Sequence, residues 1–174
     1  MKLVLLGYMG VGKSTLGKLL SKTLNLKFID LDVYIENQAK LEIPELFKQK
    51  GEIYFRKLES KALEDVIQNE TNFVLSLGGG TPVYGRNMQT ILDAEGLISV
   101  YLKLKIEPLV ERLFQEKVSR PLISHYQNRP ELEEFVRKHL FERQPYYFMA
   151  NHVLDITEKT AEEALHDAIQ LLPK

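Results

Sequence analysis

The stretch GYMGVGKST at residues 7–15 constrains this chain most, because it follows directly on the apolar run at 3–6. It fits the pattern G-x-x-x-x-G-K-[ST] through Gly7, Gly12, Lys13 and Ser14. Glycines at these positions let a backbone turn tightly and aim several N–H groups inward. A helix starting at Lys13 adds the positive end of its dipole. The loop residues Gly10, Val11, Gly12, Lys13, Ser14 and Thr15 are therefore expected to cradle a nucleoside triphosphate. Lys13 can reach the outer phosphates as a point charge, the Ser14 hydroxyl can ligate magnesium, and Thr15 is expected one residue deeper in the cradle. A plain strand-to-helix turn is the competing reading. The apolar run before the loop and the helical spacing of Leu16, Leu19, Leu20 and Leu24 after it favour the phosphate site.

The same periodicities extend along the chain. Short apolar runs at 27–31, 73–77, 97–102 and 152–156 read as further strands. Helical patterns cover 33–41, 52–70, 87–95, 108–114, 131–143 and 161–172, with a shorter one from Pro44 that Gly51 ends or bends. Strands alternating with helices predict a parallel sheet with right-handed crossovers, and ligands on such sheets sit beyond the carboxyl ends of the strands. Three candidate ligand segments follow strands: the glycine-rich loop, Asp30-Leu31-Asp32 and Gly78-Gly79-Gly80.

A net charge of -1 over 174 residues supplies no general basic field for nucleic acid, so any anion site must be local. With no cysteine, disulfides, thiolate metal sites and a cysteine nucleophile are excluded. The first residues lack a membrane-length apolar span and a small-residue cleavage site, and the expectation is a cytoplasmic protein.

Several residues can receive the transferred group. Asp30 and Asp32, two apart at a strand end, are expected to point to one side. One can hold a magnesium shell and the other can accept a proton from an attacking hydroxyl; helix capping is the alternative. Arg56 lies within helical reach of Glu59, as a solvated pair or as a guanidinium presented to a carboxylate. Three glycines at 78–80 suit close approach of backbone to a ligand, with a strand-ending turn of unusual torsions as the alternative. Arg120 stands in a polar segment at 115–130, either as a surface residue or on a closing lid. Arg143 precedes Pro145, where it either complements a helix end or serves a ligand.

Taken in order, GYMGVGKST, FIDLD, GEIYFRKLES, LGGG, SRPL and ERQPYY closely resemble the shikimate kinase family over residues 4–147. The resemblance implies an α/β fold of the P-loop nucleoside monophosphate kinase-like type. This is a three-layer architecture with a five-stranded parallel sheet, a small substrate-binding subdomain and a lid. It implies one domain over 1–174, with a core of about 1–32, 62–111 and 144–174, a substrate-binding subdomain of about 33–61 and a lid of about 112–126.

It also implies transfer of the γ-phosphoryl of ATP, with magnesium, to the 3-hydroxyl of shikimate in aromatic amino-acid synthesis. Lys13, Asp32 and Arg120 would be catalytic, and Ser14 and Asp30 would hold the metal. Asp32, Arg56, Gly78, Gly79, Gly80 and Arg143 would bind the acid, with Arg56 and Arg143 clamping its carboxylate. Arg120 would face the ATP phosphates and Arg112 the adenine. The chain departs from the family pattern after the last strand, where DITEKT replaces an arginine-bearing loop and Lys159 is the candidate stand-in. The protein is expected to act as a monomer, with neither nucleic acid nor membrane as partner. The alternatives are a related small-metabolite kinase such as a gluconate kinase, and a non-catalytic nucleotide-binding module.

Overall fold

The computed structural model describes residues 1–173; Lys174, the last residue of the expected core span, lies outside the described residues. Leu3, Val4, Leu5 and Leu6 are all essentially inaccessible, as an apolar run covered on both faces requires. They form β1 (Lys2–Leu6), the middle strand of a five-stranded sheet. The others are β2 (Lys27–Asp30), β3 (Phe73–Ser76), β4 (Leu97–Lys103) and β5 (His152–Asp155), ordered β2-β3-β1-β4-β5 and all parallel. The register sets Leu3 beside Val74 and Ile98, and Leu5 beside Ser76 and Val100.

The helices are α1 (Lys13–Leu24), α2 (Leu31–Ala39), α3 (Ile43–Asn69), α4 (Asn87–Asp93), α5 (Ile106–Glu116), α6 (Arg129–Tyr147) and α7 (Ala161–Gln170). The step from β1 to β2 runs one way along the sheet, and the later steps run the other way. Right-handed crossovers therefore put α1 on the face opposite α3, α4 and the α5–α6 pair, and α7 packs beside α1. This is the three-layer α/β architecture that the sequence implies.

One local detail selects between stated alternatives and two differ from the sequence reading. Of the two outcomes expected at Gly51, the structure takes the bend, within a single long α3: this residue has φ 81° and ψ 170°, a region open to glycine almost alone, and helix continues on either side. Helix α5 begins at Ile106, two residues before Pro108, which is tolerated because the first turn has no intrahelical use for its N–H groups. Helix α6 does not stop at Arg143 but runs through Pro145 to Tyr147. The carbonyl of Phe141 that the proline leaves unpaired belongs to a residue 79% exposed, where water can satisfy it. The last turn is anchored by Tyr147, fully buried, whose hydroxyl donates to the Gly79 carbonyl at 2.5 Å.

Candidate active site

The three expected segments leave the carboxyl ends of β1, β2 and β3 and line one polar cleft of about 290 Å³. Gly12, at φ 102°, turns the glycine-rich loop into α1. Lys13 is buried at the base of the loop, and its ammonium donates to the carbonyls of Gly7 and Tyr8, both at 2.9 Å. Burial lowers its pKa to about 8 against the opposing pull of Asp32 and Asp30. Val11 is buried, and Gly10 backs so closely onto Leu113 of α5 that a Cβ there would lie 2.7 Å from its side chain. Thr15 is exposed at the mouth of the cleft rather than deeper in it, because the helix turns its side chain outward.

Asp30 takes the capping role that the sequence left open and also faces Ser14. It caps α2, its Oδ1 accepting from the Asp32 N–H at 3.2 Å, while its Oδ2 accepts from the Ser14 hydroxyl at 2.8 Å. The strand ends at Asp30, so Asp32 enters the cleft from the first turn of α2 and not by strand alternation. Burial first, then the charges of Asp30 and Glu59, raise the Asp32 carboxyl to about 6. Ser14 and Asp30 are a small oxygen donor set, and no group of three or more His, Cys, Asp or Glu side chains placed to hold a metal occurs among the described residues. Such a pair fits a magnesium ion whose coordination is completed by phosphate oxygens and water.

Arg120 follows a 3₁₀ turn (Lys117–Ser119) and lines the same cleft, paired with Glu116 at 2.6 Å. Its Nε is buried without a hydrogen-bond partner among the described residues. The segment that carries it is held down by Ile123, which is fully buried.

A second cavity of about 750 Å³ opens beside the cleft, and Arg56, Arg143, Tyr8, His139 and Phe47 are in its wall. Met9 and Gly79 line both spaces, which therefore adjoin there. The three glycines are spread along that junction, with Gly78 on the cleft and Gly80 on the cavity. Arg56 is fixed from several sides. Its Nη1 donates to Glu59 at 3.0 Å, its Nε to Glu52 at 3.3 Å, and its guanidinium lies 3.8 Å from the Tyr84 ring centroid. It also lies 5.2 Å from the Phe55 ring.

Glu59 is 1% exposed and accepts a further bond from Thr81 at 2.7 Å, so its charge is compensated inside the protein. Across the cavity, Arg143 donates to the His139 carbonyl at 3.0 Å. Two fixed guanidinium groups in one cavity suit a carboxylate.

Arg112 is exposed and lines a separate groove of about 190 Å³ with Val11, Thr15 and Lys159. Lys159 is engaged with Asp167 at 2.6 Å. Tyr8, Tyr84, Glu116 and His139 belong to these walls, and the buried Thr81 supports Glu59 behind them, without any sequence pattern that marks these roles.

The shikimate kinase family model matches residues 9–173. A shikimate kinase of Flavobacterium johnsoniae is 45% identical over 171 residues, 98% of each chain. The crystal structure of shikimate kinase from Bacteroides thetaiotaomicron is similar with a TM-score of 0.89 at 34% identity, covering 98% of this chain and 97% of that one. That of the Acinetobacter baumannii enzyme, in complex with shikimate, gives 0.85 at 30% identity, covering 98% and 91%.

Proposed function

Because the chain belongs to the shikimate kinase family, we propose that its two joined spaces bring ATP and shikimate together for direct phosphoryl transfer. The observation that carries this reading is the cavity with Arg56 and Arg143 in its wall, adjoining the phosphate cleft at Met9 and Gly79. A ring acid held by its carboxylate between the arginines would extend a hydroxyl toward Asp32. The glycine-rich loop and Lys13 would hold the triphosphate from the other side.

Magnesium, held by Ser14 and Asp30, would supply charge neutralisation for the phosphates. Asp32, ionised above a pKa of about 6, would accept the proton as the hydroxyl oxygen bonds to the γ-phosphorus and the bond to ADP breaks. Arg120 would meet the developing charge, with its unpartnered Nε as one donor. Gly78, Gly79 and Gly80 would contact the acid, and Arg112 with Lys159 would flank the adenine. In this reading 33–61 works as a substrate-binding subdomain and 112–126 as a lid on a single core. The substrates are small and soluble, and we read the protein as a cytoplasmic monomer. No helix among the described residues is long and apolar enough to cross a membrane.

The test is ADP release by the purified protein with ATP, magnesium and shikimate, beside a panel that includes gluconate. Turnover with shikimate alone is expected. Turnover with gluconate instead would move the assignment to another small-metabolite kinase. ATP binding without turnover of any acid would leave a nucleotide-binding module.

A further inference from the structure

The cavity that faces Arg143 contains a polar pair that the proposed reaction does not use. Tyr8, in the glycine-rich loop, has its hydroxyl 2.6 Å from Nδ1 of His139 on α6. The two rings meet edge to face at 5.5 Å, and His139 stacks on Phe135 at 4.9 Å, so the imidazole is fixed in place and orientation. Both residues line the cavity.

The protonation of the pair follows from its surroundings. Burial, reinforced by the charge of Arg143, lowers the His139 pKa to about 4, and burial raises that of the Tyr8 hydroxyl. The imidazole is therefore neutral and the phenol protonated at physiological pH. We assign the Tyr8 O–H as the donor to Nδ1, which places the one ring proton of His139 on Nε2. Nε2 has no partner among the described residues and is not one of the buried unpartnered atoms, so it faces open space. The arginines supply charge-assisted donors for a carboxylate. A neutral, oriented N–H on the same wall suits an uncharged oxygen.

We propose that His139, oriented by Tyr8, is a specificity-determining contact whose Nε2–H donates to a ring hydroxyl of the acid substrate. The bond ties recognition of the acid to the nucleotide loop, because the carbonyl of Tyr8 is one of the two that accept from Lys13. It costs the site no additional charge, and it would reject cyclic acids that lack the hydroxyl, because the N–H would then be buried unpaired.

This inference rests on the shikimate reading, and wild-type turnover of shikimate tests that reading separately. Given turnover, His139→Leu should raise the KM for shikimate about fivefold to tenfold, with kcat and the KM for ATP changed less than about twofold. His139→Gln, which retains an N–H at similar reach, should recover most of the loss. Tyr8→Phe should cost about threefold alone and little in the His139→Leu background, because both remove the same bond.

Nitrogen NMR of the wild-type histidines serves where a variant fails to fold. One imidazole should be protonated at Nε2 only, and that N–H should shift when shikimate is added. A KM for shikimate within twofold of wild type in His139→Leu, an equal fall in kcat, no recovery by Gln, or an Nε2 signal indifferent to shikimate each overturns the proposal.

Discussion

Replacing Asp32 by Asn is expected to stabilise the ligand-free protein while removing its activity. The carboxyl is raised from 3.8 to about 6, by burial first and by its acidic neighbours after that. A raised carboxyl pKa means that the folded state disfavours the ionised form. The stability associated with the protonated group is complete below the unfolded pKa and is lost as pH rises through about 6. Two pKa units correspond to a cost of about 3 kcal/mol at about pH 7.5, falling to about 0.6 kcal/mol at about pH 4.

Water entering the cleft and relaxation around the charge reduce the first figure, so a gain of about 1–3 kcal/mol is expected from Asn at about pH 7.5. For a chain of this length that is a rise in melting temperature of roughly 3–10 °C. Thermal unfolding of both proteins at the two pH values measures it, and a coupled ADP assay should show kcat lower by about 10² to 10⁴. A variant that melts lower than wild type at the higher pH, or one whose gain is equal at both, would refute the claim that this carboxylate is held against its own solvation.

Two further outcomes follow from the arginines. Arg56→Ala should weaken shikimate binding by about 2 kcal/mol or more, read by titration calorimetry, and should also lower the melting temperature because Glu59 loses the cation that compensates its burial. Arg120→Ala should reduce kcat far more than it raises the KM for ATP; a raised KM for ATP with kcat unchanged in steady-state kinetics would mean that Arg120 contributes uniform binding only.

Much of this site is legible in the sequence because its parts are local. The loop at 7–15 is contiguous, β1 is an unbroken apolar run, and Arg56 and Glu59 lie one helical turn apart. The architecture follows from the same local alternation of strand and helix. What escapes is whatever depends on chain segments meeting. Tyr8 and His139 are 131 residues apart, and nothing in either segment announces the other. Tyr84 is an ordinary aromatic until α3 brings a guanidinium onto its face. Asp32 is anticipated in the cleft for the wrong reason: strand alternation gives way to a helix start that Asp30 itself caps. Pro145 marks a helix end on local grounds, and the buried Tyr147 beyond it overrides that signal.

The strand order β2-β3-β1 places the segment bearing Asp32 two positions from the nucleotide loop, with the glycine run leaving the strand between them. Hydrogen-bonded strands stand about 4.8 Å apart, so these two origins are about 10 Å apart whatever side chains they bear. The sheet thus fixes the spacing of the two chain segments, and sequence drift can remodel the lining without altering it.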